Sequence, residues 1–151
     1  LHKIWFLSLE NQQFSMNLST ITESEKQQLI QVANRAVSSA YAPYSQFRVG
    51  AAVLTTTGKI FAGCNVENAS YGLSMCAERN AIANAIIEEG SDTIEVKAIA
   101  IVNSHNVPCS PCGACRQVIW EFGKEAQVIF LGKQGWQDST IEELLPEGFS
   151  L

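Results

Sequence analysis

The sequence lacks an apolar run long enough to cross a membrane as a helix. No stretch approaches the ~20 consecutive apolar residues that such a span requires. Residues 4–7 are apolar, but a signal peptide needs an apolar region of roughly 7–15 residues followed by a small-residue cleavage site. Internal repeats and low-complexity segments are also missing. We therefore expect neither a membrane protein nor a secreted one.

Basic residues are also scarce. The chain has 10 Lys and Arg against 15 Asp and Glu, a formal net charge of −5. Because binding to a nucleic-acid backbone requires a basic face, this charge argues against such a partner and suits a small neutral substrate. The hydrophobic fraction of 46% and the charged fraction of 17% are typical of a globular chain, and 151 residues are enough for one domain with a real core.

The five cysteines form an odd, clustered set: Cys64, Cys76, Cys109, Cys112 and Cys115. Such a set, without a secretory segment, indicates metal chemistry in a reducing compartment, so we expect a cytoplasmic protein. Cys64 and Cys109 are interpreted as small buried or loop residues.

Three of these cysteines and one glutamate predict a catalytic zinc site. Cys112 and Cys115 have the C-x-x-C spacing of metal ligands, and Cys76 supplies a third thiolate. Three protein ligands leave the fourth position open to water, whose pKa zinc lowers to about 7. Glu78, two residues after a ligand, is placed to move protons without binding the metal.

Two other interpretations of these cysteines stay open at this stage. Cys109 could act as a fourth ligand and close a purely structural site. Alternatively, the C-x-x-C could be a redox pair. Neither explains why Glu78 follows Cys76 so closely.

The chain from Tyr41 to about Phe149 resembles the small, all-cysteine free-nucleoside cytidine deaminases, which belong to the zinc deaminases. Five stretches carry this resemblance: Ala42-Pro43-Tyr44-Ser45 with Phe47, Cys64-Asn65-Val66-Glu67-Asn68-Ala69, Cys76-Ala77-Glu78-Arg79, Ser110-Pro111-Cys112-Gly113-Ala114-Cys115-Arg116-Gln117, and Glu142-Glu143-Leu144-Leu145-Pro146.

The resemblance implies an activity, a cofactor and an assembly. The activity is hydrolytic deamination of cytidine and deoxycytidine to uridine and deoxyuridine in pyrimidine salvage, with one Zn²⁺ per subunit. The assembly is a homotetramer whose sites are completed across subunit interfaces. A modified cytosine nucleoside and a nucleic-acid strand are alternative substrates. The run 65–68 argues against the first, and the charge of −5 argues against the second.

The resemblance also implies roles for individual side chains. Asn65 and Glu67, which share one face of an extended segment, would hold the ribose hydroxyls, and Phe47 would stack on the base. Tyr71 and Ala77 would complete the substrate site. Arg79 would donate to the ligand sulfurs. The need for positive charge beside three thiolates, rather than the resemblance, makes Arg116 a second candidate. Phe149 would close the site of a neighbouring subunit.

The fold implied is a three-layer α/β/α sandwich with a mixed sheet of about five strands, of which the pattern locates four. Residues 1–16 are interpreted as an N-terminal extension, with Met16 a candidate start, and residues 17–151 as a single catalytic domain. The predicted elements are a helix from the Thr22 capping box towards Pro43, strands 47–54 and 60–66, a helix 76–89, a strand 96–102, a helix 113–122, a strand 128–131, a turn 132–136 and a short helix 141–145.

Overall fold

Helices and strands are interspersed through residues 20–151, the part of the chain that the computed structural model describes. The predicted extension over residues 1–16 lies outside these described residues. In chain order the elements are α1 (Glu23–Val37), β1 (Val49–Thr55), β2 (Ile60–Cys64), a 3₁₀ turn (Tyr71–Leu73), α2 (Ala77–Glu89), β3 (Val96–Asn103), α3 (Gly113–Phe122), β4 (Gln127–Gly132), β5 (Gly135–Thr140) and α4 (Ile141–Leu144).

The five strands form one mixed sheet in the order β2-β1-β3-β4-β5. Only β3 and β4 run parallel; β1 pairs antiparallel with β2 and with β3, and β4 pairs antiparallel with β5. Every residue of β3 except Lys97 is buried, as expected for a central strand covered on both faces. The predicted mixed sheet is confirmed.

Helices cover both faces of this sheet. Leu29 and Ala33 of α1 pack with Ala52 and Ala100 on one face. A larger cluster on the other face includes residues from α2, α3 and α4, among them Ala81, Ile119 and Ile141. The predicted three-layer α/β/α arrangement is therefore confirmed.

Two glycines let the helices approach the sheet closely. A Cβ atom added at Gly50 would lie 2.1 Å from the carbonyl oxygen of Ala33 in α1, and one added at Gly63 would lie 2.3 Å from the backbone nitrogen of Ala81 in α2. Neither distance is possible for a real side chain, so both positions require glycine.

Two predicted boundaries were wrong. Helix α1 ends at Val37, well before Pro43, because the chain turns there. The backbone N–H of Ser38 donates to the carbonyls of Arg35 and Ala36, and the N–H of Ala40 donates to the carbonyl of Val37. The predicted turn over residues 132–136 is tighter, and a fifth strand, β5, begins inside it at Gly135, where φ is +105°. This edge strand is polar and only half-buried, so it lacks the apolar alternation that predicts strands.

None of the helices within residues 20–151 combines the length and the apolar character that a bilayer crossing requires.

Candidate metal centre and substrate site

The two ligand segments each begin a helix, as the sequence predicted. Cys76 is the N-cap residue of α2 and Cys112 is the N-cap residue of α3. Cys115 lies in the first turns of α3 and is buried. Helix N-termini present free backbone N–H groups and partial positive charge, which favour thiolates over thiols.

The three sulfur atoms fit a zinc ion. The Sγ atoms of Cys76, Cys112 and Cys115 all lie within 4.8 Å of one another, and those of Cys76 and Cys112 are 3.9 Å apart. A tetrahedral zinc site with Zn–S bonds of about 2.3 Å would separate its sulfurs by about 3.8 Å. Thiolates are also soft donors, which favour zinc over harder divalent metals such as Mg²⁺ and Ca²⁺. The residues present therefore match a three-thiolate zinc site in both spacing and chemistry.

Hydrogen bonds from Cys115, Arg79 and Cys112 stabilise the thiolate of Cys76. A hydrogen bond from the Cys115 thiol is the main cause that lowers the pKa of Cys76 to about 5, and the guanidinium of Arg79 adds to it. Nη2 of Arg79 lies 3.7 Å from the Cys76 Sγ and 3.2 Å from the carbonyl oxygen of Ser74. The guanidinium of Arg79 therefore contacts the sulfur of Cys76.

Glu78 is a buried acid beside the thiol cluster. Its side chain lies in the first turn of α2 and the residue is only 4% exposed. Burial raises the pKa of the Glu78 carboxyl, and the nearby negative charge of Cys76 raises it further. A carboxyl with a raised pKa exchanges protons more readily near neutral pH than an ordinary surface glutamate does.

Glu67 lies at an open depression of about 260 Å³, lined by Tyr44, Ser45, Glu67, Tyr71 and Ser74. Its Oε2 accepts from the backbone amides of Tyr44 (2.9 Å) and Ser45 (3.2 Å), and its Oε1 accepts from the Ser45 hydroxyl. The Ser45 hydroxyl is the main cause that lowers the pKa of Glu67. The carboxylate is therefore ionised and held in one orientation at the depression.

The side chain of Asn65 bonds the backbone around Phe47. Oδ1 accepts from the Val49 amide at 2.8 Å, and Nδ2 donates to the Phe47 carbonyl at 2.9 Å. Each polar atom of the amide retains capacity for one more hydrogen bond. Asn65 thus holds the backbone of Phe47 in place, whatever else it contacts.

A short antiparallel bridge joins the predicted substrate segment to the first metal ligand. The amide of Val66 donates to the carbonyl of Met75, and the Met75 amide donates back to Val66, each at 2.9 Å. Because Val66 lies between Asn65 and Glu67, and Met75 precedes Cys76, this bridge places the polar segment beside the metal centre.

Other predicted site residues occupy different surroundings. Ala77 is fully buried, so only its backbone is left for a ligand. Tyr71 is 78% exposed and meets Tyr44 edge to face, with ring centroids 6.3 Å apart. Phe149 is 66% exposed, and its carbonyl accepts from Nε2 of Gln117 on α3 at 3.2 Å.

Arg116, the second candidate to donate to the ligand sulfurs, makes its hydrogen bonds to backbone carbonyls instead. Its Nε donates to the Pro111 carbonyl at 2.9 Å and its Nη1 donates to the Leu144 carbonyl at 2.8 Å. The guanidinium therefore ties the turn before Cys112 to the end of α4. Its observed contacts are structural.

Cys109 does not join the sulfur cluster found within residues 20–151. Its side chain packs against the larger core cluster, and its amide donates to the Leu131 carbonyl at 2.8 Å. Burial is the main cause that raises the pKa of this thiol. The closed structural site with four cysteines is therefore not formed.

Two residues of this region were not singled out from the sequence. Ser45 bonds Glu67 from 22 positions away in the chain, and the imidazole of His105 stacks on the ring of Phe47. Ser45 stood within a stretch that carried the family resemblance, but no spacing rule connected it to Glu67. No motif or spacing in the sequence pointed to His105.

Comparison with known proteins places this geometry in context. A family model described as "Cytidine and deoxycytidylate deaminase zinc-binding region" matches residues 23–131. Cytidine deaminase of Halalkalibacterium halodurans is 46% identical, with 83% of this chain and 95% of that protein covered. Cytidine deaminase of Sporosarcina psychrophila is 43% identical, with 82% and 90% covered.

Solved structures agree with these sequence matches. The crystal structure of cytidine deaminase from Mycobacterium tuberculosis has a TM-score of 0.74 at 37% identity, covering 83% of this chain and 98% of that one. The structure of cytidine deaminase from Burkholderia pseudomallei has a TM-score of 0.72 at 44% identity, covering 85% and 100%.

Proposed function

Because the chain belongs to the cytidine and deoxycytidylate deaminase family, we propose that it hydrolyses the C4 amino group of cytidine, releasing uridine and ammonia. The observation that carries this proposal is the buried carboxyl of Glu78 beside a cluster of three thiols with the spacing of zinc ligands. A structural or redox site would have no use for that carboxyl.

Cys76, Cys112 and Cys115 would hold one zinc ion per chain. When bound, zinc acts as a Lewis acid that makes water nucleophilic near neutral pH. Three protein ligands leave one position open, as catalytic zinc sites require. Arg79 and the two helix N-termini offset the negative charge that three thiolates place on the metal.

Glu78 would move the protons of the reaction. Its raised pKa suits it to accept the two protons of the attacking water one after the other, and to pass the first to N3 of the cytosine ring and the second to the amino group that leaves as ammonia. Burial also keeps bulk water from exchanging those protons.

The depression at Glu67 would hold the nucleoside. The ionised carboxylate, fixed by Ser45, is an acceptor for ribose hydroxyls, and Asn65 has capacity to join it. Phe47 would stack on the base, while Tyr71 and the backbone of Ala77 would complete the contacts. The proposal extends to deoxycytidine, and to pyrimidine salvage as the setting.

We place this catalytic unit in residues 17–151 of a cytoplasmic protein without a nucleic-acid partner. The five cysteines are all free thiols, which a reducing compartment preserves, and the net charge of −5 disfavours polyanions.

We also propose a homotetramer in which neighbouring subunits complete each site. Several large apolar side chains near the depression are strongly exposed, among them Tyr71 at 78% and Leu73 at 68%. Phe149, 66% exposed on the C-terminal tail, is the residue that a neighbour would receive. Exposed apolar groups in such a cluster are typical of an interface between protein chains.

The direct test is turnover of cytidine by the zinc-loaded protein, with Glu78→Gln measured beside it. We expect the variant to keep its fold and its zinc while kcat falls by at least about 10²-fold, the lower range for a lost proton-transfer group. Glu88→Gln, an exposed change on the same helix, is the control and should behave as wild type. Near wild-type turnover by Glu78→Gln would refute the assignment.

A further inference from the structure

His105 lies on the loop between β3 and α3, which leads to the metal ligand Cys112, and its imidazole stacks on the ring of Phe47. The two ring centroids are 5.3 Å apart and the ring planes differ by only 4°. This is the offset parallel arrangement in which aromatic rings attract one another. The contact joins the metal-ligand loop to the residue expected to stack on the substrate base.

Asn103 at the end of β3 fixes the shape of this loop. The residue is only 5% exposed. Its Oδ1 accepts from the amides of His105 (3.0 Å) and Val107 (3.3 Å), while its Nδ2 donates to the Val107 carbonyl at 2.8 Å. Because one buried side chain makes all three bonds, the loop presents His105 at a defined position.

Ser104 connects the same loop to the residue after Phe47. The Ser104 amide donates to the Arg48 carbonyl at 2.9 Å, and the Arg48 amide donates to the Ser104 hydroxyl at 3.4 Å. That hydroxyl also lies 3.3 Å from Nδ1 of His105. The ring stack is therefore one part of a wider contact between loop and strand.

The backbone of Phe47 is held from the other side by the proposed ribose-binding residues. Its amide donates to the Ser45 hydroxyl at 3.0 Å, and its carbonyl accepts from Nδ2 of Asn65 at 2.9 Å. The same Ser45 hydroxyl bonds Glu67. These bonds fix where the Phe47 backbone lies but not the rotation of its ring, and the stack with His105 acts on that ring.

We propose that His105 is a positioning residue for the substrate base. By covering one face of the Phe47 ring, His105 sets the plane against which the pyrimidine stacks on the other face. This inference rests on the proposed function and on Phe47 as the stacking residue. His105 acts through Phe47, so its loss should weaken binding of the base while leaving proton transfer by Glu78 intact.

The stack itself can be measured without turnover. The chain has two histidines, so the imidazole proton resonances of His105 can be assigned in the zinc-loaded protein by their loss in His105→Gln. The ring current of Phe47 should shift these resonances upfield, and Phe47→Leu should move them to the positions of a free imidazole. Resonances that stay in place in Phe47→Leu would overturn the proposal.

The functional consequence is a change in KM with little change in kcat. For His105→Ala we expect the KM for cytidine to rise about three- to tenfold, the range that loss of an aromatic pair produces, with kcat within about twofold. His105→Phe restores a flat ring and should return KM close to wild type. Asn106→Gly is the control in the same loop, because φ at Asn106 is +52°, which glycine adopts freely.

Three results are decisive. An unchanged KM in His105→Ala, or an equal loss of kcat that His105→Phe does not rescue, would overturn the role of His105 alone. A zinc-loaded wild-type protein that does not deaminate cytidine would contradict the proposed function itself, so the two failures are distinguishable.

Discussion

At the scale of single residues, the role of each cysteine follows from where its sulfur lies. Cys76, Cys112 and Cys115 converge on one point, while Cys109 turns into the core and Cys64 stays apart from the cluster. Spacing along the chain left Cys109 open as a fourth ligand. Only the folded position of its side chain removes that alternative.

This difference between neighbouring cysteines predicts a difference in metal content. Cys112→Ala removes one of three ligands, so bound zinc should fall from about one ion per chain to near zero after exposure to a chelator. Cys109→Ala is the matched control and should retain its zinc. Elemental analysis of both purified variants decides the matter, and full zinc occupancy in Cys112→Ala would contradict the ligand set.

At the scale of elements, α1 begins with a capping box that also ties the helix to the sheet. Thr22 and Glu25 bond each other reciprocally, and Glu25 Oε1 lies 3.0 Å from Nζ of Lys97 in β3. The backbone bond from Thr22 is the main cause that lowers the pKa of Glu25, and Lys97 lowers it further. The Glu25 carboxylate therefore connects the capping box that begins α1 to strand β3 of the sheet.

The lowered pKa of Glu25 makes its contribution to stability dependent on pH. A carboxyl with a lowered pKa stabilises the fold above its unfolded pKa of about 4.3, and this stabilisation disappears as pH falls through the lower folded-state pKa. Glu25→Gln keeps a capping-box amide but loses the charge. Wild type should exceed it in free energy of unfolding by up to ~1 kcal/mol at pH 6.

Urea unfolding at pH 6 and at pH 3 measures this difference. The advantage of wild type should shrink at the lower pH, because protonation of Glu25 removes the charge that distinguishes it from Gln. Glu23→Gln is the control, since it removes an acidic side chain from the same turn without touching Lys97. A difference that is equal at both pH values would contradict the role of the Glu25 charge.

Elements also differ in how well the sequence predicted them. The starts of α2 and α3 were predicted within one residue, because the cysteine motifs that mark them are local patterns in the chain. The C-cap residue of α2 is Gly90, where φ is +87°. Strand β5 was missed because its residues are mostly polar and show no hydrophobic alternation. Its extended conformation is stabilised by antiparallel pairing with β4, which a local sequence pattern does not reveal.

At the scale of the whole molecule, the exposed apolar side chains around the depression predict assembly. Light scattering coupled to size-exclusion chromatography should give a mass of about four times the 16.5 kDa of the chain. Phe149→Ala should lower kcat/KM for cytidine while the tetramer persists, because the proposed contact lies at a neighbour's site. A fully active monomer would contradict the proposed assembly.

The sequence by itself determined the α/β class, and it predicted Cys76, Cys112 and Cys115 as zinc ligands and Glu78 as the proton-transfer residue. These inferences depend on spacing, composition and caps, which act within a few residues of one another, together with a resemblance carried by contiguous stretches. The matching family model and solved structures confirm the fold, the zinc-binding region and the activity class. The roles of individual site residues stay predictions: Cys76, Cys112 and Cys115 as zinc ligands, Glu78 as the proton-transfer residue, and Phe47, Asn65, Glu67, Tyr71, Ala77, Arg79 and Phe149 in the substrate site and its support.

Only the tertiary structure decided which side chains act on one another across the chain. Ser45 holds Glu67, Asn65 holds the backbone of Phe47, and His105 stacks on the ring of Phe47. None of these pairs has a signature in spacing, because their partners meet only when the segment before β1, the segment after β2 and the loop after β3 come together at one edge of the site. Such contacts depend on packing between distant segments, and a local pattern does not encode it.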